Sequence, residues 1–228
     1  MTTVVLVRHG LTAMTGPVLA GWTPGLHLDD RGLKQAAAVA ERLREVPFAA
    51  LVSSPLDRCL DTVKAIAAGR DTDIQVEDRL GECRYGDWTG RPLKELAKDP
   101  LWKVVQAHPS AVTFPGDEGE PLRETQARAV AAVRDGNARL GADATWLACS
   151  HGDVIKAIVA DALGMHLDLF QRIAIDPCSV TVIRYTELRP FVVRVNDTGG
   201  GVADLLPAKK GRRRKASSDA PVGGGAGA

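Results

Sequence analysis

Two histidines in this chain each close an apolar run, and each is followed by glycine. The runs are Val4-Val5-Leu6-Val7-Arg8-His9-Gly10 and Thr145-Trp146-Leu147-Ala148-Cys149-Ser150-His151-Gly152. Short apolar segments without a helical period predict strands buried on both faces of a parallel sheet. The glycine after each histidine is expected to let the backbone turn tightly. In an open α/β sheet, ligands bind just beyond the carboxyl ends of the strands. Arg8, His9 and His151 gathered at that edge would make a site for an anion, and a phosphoryl group suits it best.

A third cationic side chain can join them. Ser54-Pro55 reads as the start of a helix, with Ser54 as its cap and Pro55 in its first position. Arg58 then lies one turn inside. Helical side chains tilt toward the amino end, so Arg58 can reach back to the edge holding Arg8, His9 and His151. Two guanidinium groups can grip a phosphate bidentately where lysines could not, and the helix amino end adds backbone donors.

The elements that must position these groups alternate. A long loop rich in turn formers, Gly16-Pro17 through Pro24-Gly25, follows the first strand, and long ordered loops tend to carry function. Asp29-Asp30 start a helix whose apolar positions are Leu33, Ala36, Ala40 and Leu43, halted by Pro47. A strand from Phe48 to Ser53 precedes the Arg58 helix, which is expected to bury Leu56, Leu60, Val63 and Ala67. A short strand at Ile74–Val76 follows. Residues 91–121 are poorly periodic, carry five prolines and read as an irregular lid or insertion. A helix over Leu122–Leu140 leads to the second histidine strand and its successor helix, and strands at Ser179–Tyr185 and Phe191–Val195 end the pattern. This alternation predicts a layered α/β fold with a largely parallel sheet.

Composition sets bounds. At 228 residues, 45% apolar and 25% charged, the chain matches one ordinary globular α/β domain and is too short to argue for two. From Gly199 onward it loses apolar content, so 1–198 reads as the domain and 199–228 as a disordered basic and Gly/Ala-rich tail. Six of the 29 basic residues (Lys209, Lys210, Arg212, Arg213, Arg214 and Lys215) and Asp219 lie in that tail. Residues 1–206 thus hold 23 basic residues against 27 acidic. A mildly acidic domain argues against a nucleic-acid surface, while the tail could make a weak electrostatic contact with nucleic acid or anionic lipid. Cys59, Cys83, Cys149 and Cys178 show no zinc-ligand spacing, and no stretch reads as a signal peptide or membrane span. The expected setting is a reducing cytoplasm. His27, His108 and His166 read as structural or surface groups, and Asp153 as a helix cap.

Four ordered motifs carry a resemblance. Val7-Arg8-His9-Gly10, Ser53-Ser54-Pro55-Leu56-Asp57-Arg58, Leu80-Gly81-Glu82-Cys83-Arg84-Tyr85-Gly86-Asp87-Trp88-Thr89-Gly90 and Ser150-His151-Gly152 resemble the histidine phosphatase superfamily, in its phosphoglycerate mutase-like branch. They span roughly residues 3–185, nearly all of the folded chain. The resemblance implies a three-layer α/β/α sandwich. It also implies His9 as nucleophile, Arg8, Arg58 and His151 as ligands of the phosphoryl oxygens, and Glu82 as the acid that protonates the leaving group and then activates water. Thr12, Thr15 and Gly152 would join Arg8, Arg58 and His151 in binding substrate. No cofactor and no metal is implied.

The sequence departs from the mutases where they hold a second acidic group. After Gly10 they typically continue with glutamate, serine and later asparagine; here Leu11, Thr12 and Thr15 stand instead. Residues 91–121 contain Arg91, Lys94, Lys98 and Lys103 but not the mutases' arginine pair. A mutase must retain a doubly anionic intermediate, so scarce cations favour water as acceptor. The expected activity is hydrolysis of a small phosphorylated metabolite through a phosphohistidine. Phosphomutase activity is the alternative, and a non-catalytic phosphate-binding relative the third reading. Trp88, Trp102, Phe114 and Leu101 could line an apolar specificity pocket, although buried aromatics more often belong to a core, and the final strands could pair edge to edge in a homodimer.

Overall fold

A computed structural model of the chain describes residues 1–200 together with Gly223 and Gly225. Among them six strands form one sheet: β1 (Thr2–Arg8), β2 (Leu51–Ser53), β3 (Ile74–Val76), β4 (Thr145–Ser150), β5 (Val180–Tyr185) and β6 (Pro190–Asp197). Their spatial order is β3-β2-β4-β1-β5-β6. The first four run parallel; β5 pairs antiparallel with β1, and β6 pairs antiparallel with β5 at the edge.

Alternation along β1 divides the core. Val5 and Val7 face α1 (Asp30–Leu43) and α2 (Asp57–Ala67), packing with Ala36, Val39, Cys59, Val63 and Ile66. Val4 and Leu6 face α5 (Leu122–Leu140) and α6 (Gly152–Ala162), packing with Ala129, Val133, Val154 and Ile158. Successive strand side chains point to opposite faces, so an unbroken apolar run is what a sheet covered on both sides requires. The result is the expected three-layer α/β/α sandwich.

Several local expectations shift. Asp29 caps α1 as its type suggests, accepting from the Arg31 and Gly32 amides. The buried face of α1 is Gly32, Ala36, Val39 and Leu43, whereas Leu33 lies exposed. The second strand is confined to Leu51–Ser53. The Arg58 helix begins at Asp57, beyond Pro55, while the Ser54 hydroxyl accepts from the Leu56 amide at 3.3 Å and meets His151 Nε2 at 2.8 Å. Its buried face is Arg58, Cys59, Thr62, Val63 and Ile66, with Leu60 and Ala67 only partly covered.

Residues 91–121 hold two short helices, α3 (Leu93–Leu96) and α4 (Pro100–Ala107). They send Leu96, Trp102, Val105, Val112 and Phe114 into the core. Trp88 and Trp102 are buried there with ring centroids 6.1 Å apart, and Phe114 lies 5.6 Å from Trp88. These aromatics and the partly buried Leu101 therefore wall the core rather than a specificity pocket.

Gly10 has a different reason from the one expected of it. A Cβ there would come within 2.8 Å of the Gly32 carbonyl, so glycine permits the close approach of α1 to the end of β1. Among the described residues no helix is long and apolar enough to cross a membrane. The tail expected to be disordered lies largely outside the described residues, and its Gly223 and Gly225 are met again below.

Candidate active site

Adjacent parallel strands deliver the two histidines together. Arg8 at the end of β1 pairs in register with Ser150 at the end of β4. The next residues, His9 and His151, lie with ring centroids 5.2 Å apart. Arg58 comes to them from the first turn of α2. Glu82 arrives on the segment after a single helical turn at Asp78–Leu80. Arg8, His9, Arg58, Glu82 and His151 are all buried.

The hydrogen bonds fix both imidazole tautomers. His9 Nδ1 lies 2.7 Å from the Gly10 carbonyl, which can only accept, so Nδ1 carries the proton. His9 Nε2 accepts from Arg58 Nε at 3.3 Å and therefore presents its lone pair. Arg58 Nη2 donates to His151 Nδ1 at 3.1 Å and to the Gly21 carbonyl at 2.8 Å. His151 Nε2 must then carry the ring proton, which it donates to Ser54 Oγ at 2.8 Å. Burial first, and then the Arg58 cation, push the pKa of each histidine well below the ordinary imidazole value. Both rings are neutral near pH 7.

Glu82 is pushed the other way, up to about 7. Burial is the main cause and the Asp153 carboxylate adds to it. Arg58, the Cys83 amide bonded to Oε1 at 3.0 Å, and Arg8 offset it in part. Oε2 lies 3.9 Å from His151 Nδ1. A carboxyl titrating near neutrality can both donate and accept a proton at working pH.

The donors facing this cluster suit an anion. Arg58 Nη1 is buried and makes no hydrogen bond within the described residues. Arg8 Nη1 donates to the Ile175 carbonyl at 2.8 Å and to the Gly225 carbonyl at 2.6 Å. Arg8, His9, Arg58 and Glu82 line one cleft of about 350 Å³, its open mouth included. The remaining wall includes Thr15, Val18, Leu19, Ala20, Leu93 and Gly223. Among the described lining residues, Arg8 and Arg58 are the only arginines, and there is no lysine.

The site residues expected from sequence take distinct places. Arg8, His9, Arg58, Glu82 and Thr15 reach the cleft, while His151 is fully buried and meets it through Arg58 and Glu82. Thr12 does not line the cleft; its hydroxyl bonds Thr15 Oγ1 at 2.9 Å and so holds the loop. Gly152 begins α6 behind the histidine and is also absent from the wall. Asp153 makes no capping bond. It accepts from Tyr85 Oη at 3.0 Å, Lys156 Nζ at 3.3 Å and the Gly223 amide at 2.8 Å. His27, His108 and His166 have largely exposed side chains. Among the described residues no group of three or more His, Cys, Asp or Glu could hold a metal ion.

Sequence reading missed the groups that bear on Glu82 from outside the cleft. Trp22, on the turn-rich loop, donates from Nε1 to the Glu82 carbonyl at 2.6 Å. Arg128, on α5, donates to the same carbonyl at 2.9 Å. The loop's unusual length was a signal for the first, whereas one arginine on a long helix gave none for the second.

The fold and site together define an anion-binding cleft at the carboxyl edge of an α/β sheet, with two histidines and a carboxyl beside it. The family model of the histidine phosphatase superfamily (branch 1) matches residues 4–198, and the chain belongs to that family. It is 32% identical over 204 residues to the bifunctional protein Rv2228c of Mycobacterium tuberculosis, covering 87% of this chain and 54% of that one. The chain thus spans about half the length of that relative. It is 29% identical to phosphoserine phosphatase 1 of Hydrogenobacter thermophilus, covering 87% of this chain and 93% of the relative. Among solved structures, mycobacterial glucosyl-3-phosphoglycerate phosphatase Rv2419c superposes with a TM-score of 0.75 at 25% identity. That match covers 86% of this chain and 98% of the other.

Proposed function

We propose that this chain is a phosphomonoester hydrolase that turns over through a phosphohistidine on Nε2 of His9. One observation carries the reading. The His9 Nε2 lone pair shares a cleft with Arg58, whose buried Nη1 has no acceptor among the described residues, and with a carboxyl poised near neutrality.

In the first step His9 Nε2 bonds to phosphorus as the bond to the ester oxygen breaks, and Glu82 gives that oxygen its proton. Arg8 and Arg58 donate to the non-bridging oxygens, where preorganised donors act with little reorganisation. A bound dianion raises the proton affinity of His151, so that Nδ1 takes up a proton from solvent, exchanges its bond from Arg58 Nη2 for one to the phosphoryl oxygen, and supplies a further donor. In the second step Glu82, now ionised, takes a proton from water as the water oxygen attacks phosphorus. The N–P bond breaks, inorganic phosphate leaves, and His9 and the Glu82 proton are restored.

The cleft also bears on the acceptor. Past Arg8, His9, Arg58 and Glu82 its described wall is Thr15, Tyr85 (whose hydroxyl is already bonded to Asp153), small residues and the apolar Val18, Leu19 and Leu93. Nothing there would hold a second acidic group while an intermediate reoriented, which supports water as acceptor over the mutase alternative. It favours esters whose alcohol portion is neutral or partly apolar.

Acid quench after rapid mixing with ³²P-labelled substrate tests the reading. An acid-labile, base-stable adduct is expected on the native chain and none on His9→Ala. An acid-stable adduct, or native turnover by the variant, would overturn it.

A further inference from the structure

The segment carrying Glu82 belongs to neither sheet nor long helix, so its carbonyls have no ladder partners and must be satisfied by other means. All four from Arg79 to Glu82 are bonded by side chains. Arg128 Nη1 donates to the Arg79 carbonyl at 2.7 Å and to the Gly81 carbonyl at 2.8 Å. Ser150 Oγ, at the end of β4, donates to the Leu80 carbonyl at 2.7 Å. The Glu82 carbonyl takes both Arg128 Nη2 and Trp22 Nε1.

Arg128 completes its set on Glu120, with Nε to Oε2 at 3.1 Å and Nη2 to Oε1 at 2.6 Å. All five N–H donors of the guanidinium are thus used, three on the Glu82 segment and two on one carboxylate. Glu120 Oε1 also accepts from the Arg84 amide at 2.8 Å, so the ion pair holds the chain on both sides of Glu82. On the opposite side Trp22 packs so closely on Gly81 that a Cβ there would come within 2.4 Å of its ring. The Arg84 guanidinium lies 4.0 Å from the centre of that ring.

We infer that Arg128, braced by Glu120, is a positioning residue that fixes the main chain of Glu82 so that its carboxyl meets the leaving oxygen. The inference rests on the reading of Glu82 as the general acid. Arg128 does not line the cleft and contacts no reacting atom. It acts through carbonyls that only a forked donor can span, and lysine, a point charge on a flexible stem, cannot reproduce that. Displacing a reacting group by about 1 Å can cost on the order of 10²-fold in rate.

The test is single-turnover phosphohistidine formation in Arg128→Lys, with an alkyl phosphate and with p-nitrophenyl phosphate. The alkyl ester needs a proton on its leaving oxygen and the nitrophenyl ester scarcely does. A loss of ~10–100-fold is expected for the alkyl ester and only a few-fold for the other. The alkaline limb of the alkyl-ester profile should also move to lower pH, as Glu82 gains access to water.

Glu120→Gln should show the same pattern in weaker form, and serves if the lysine variant folds poorly. In a Glu82→Gln background, Arg128→Lys should add almost nothing, because its effect passes through the acid. Equal losses with both esters at an unmoved limb, or full additivity with Glu82→Gln, would overturn the inference. Glu82→Gln measured alone separates the two failures. If it too slows both esters equally, the acid assignment falls and the positioning role falls with it.

Discussion

Arg58 Nε donates to His9 Nε2 across 3.3 Å, so the cation that would hold the phosphate also holds the proposed nucleophile. With the Gly10 carbonyl on Nδ1, the imidazole is fixed at both nitrogens. The lone pair required for attack lies beside a positive charge that opposes protonation, which keeps it available. The same guanidinium reaches His151 Nδ1 and the Gly21 carbonyl, coupling two strand ends and the long loop through one side chain.

Arg58→Lys should therefore be far from conservative. An ammonium keeps the charge but cannot bond His9, His151 and Gly21 in one plane. The rate of phosphohistidine formation is expected to fall by ~10²–10³-fold, the range seen on removing one preorganised donor. Rapid-quench single turnover measures it, and a rate within about threefold of native would contradict the role.

The pH dependence follows from two opposed shifts. His9 is held well below the usual imidazole range, so its protonation should not produce an acid limb near pH 6.5. Glu82 titrates at about 7 and must be protonated for the first step. The single-turnover rate for alkyl esters, divided by that for p-nitrophenyl phosphate, should fall as pH rises through about 7. A ratio constant from pH 6 to 9 would show that no proton from Glu82 reaches the leaving oxygen.

The same shift has a sign for stability. Glu82 is raised in the folded state from its ordinary 4.5, so the folded chain holds that proton more tightly than the unfolded one. Its contribution is fully present below about 4.5 and is lost as pH rises through about 7. Glu82→Gln should therefore gain on the native chain between pH 5 and pH 8, by on the order of 1–3 kcal/mol. Urea unfolding at the two pH values reads this out, and an equal difference at both would refute it.

Much of this arrangement was legible before the structure because strand ends carry the chemistry. A buried parallel strand must be an unbroken apolar run, so the residues terminating it, Arg8-His9 and Ser150-His151, announced themselves. Arg58 followed from helix geometry even though its helix starts later than its Ser-Pro signal. Ser54 Oγ does take the Leu56 amide, but it also bonds His151 Nε2, a partner 97 residues away that no local signal shows. Arg128 was hidden for the same kind of reason. Three of its acceptors are main-chain carbonyls, identical in every residue type, lying 46 to 49 positions earlier in the chain. Trp102 and Phe114 left pocket and core both open, because an aromatic in an irregular segment looks the same whichever it faces, and the structure places them in the core.

Metal removal should leave turnover unchanged. Arg8 and Arg58 would supply two positive charges at the phosphoryl position, and the proposed steps pass the proton of the leaving group and of water through Glu82 without a metal-bound water. Dialysis against EDTA followed by assay checks this. Loss of activity restored only by Mg²⁺, Mn²⁺ or Zn²⁺ would contradict the mechanism.

The last prediction concerns the two described glycines of the tail. Both N–H bonds of Arg8 Nη1 are engaged, one by Ile175 and one by the Gly225 carbonyl, so a phosphate oxygen and Gly225 compete for a donor. Gly223 is seated beside them, its amide on Asp153 and its backbone at φ +75°, where a β-branched residue is strongly disfavoured. Gly223→Val in the full-length chain should release that contact without touching a group assigned to the chemistry. If the tail occupies the cleft part of the time, apparent affinity is reduced by the fraction of open molecules. KM for p-nitrophenyl phosphate and the inhibition constant for vanadate should therefore both fall, by roughly the same factor, with the single-turnover rate at saturation unchanged. An unaltered KM would mean that the glycines do not compete in solution. A raised KM would mean that they form part of the substrate's own binding surface.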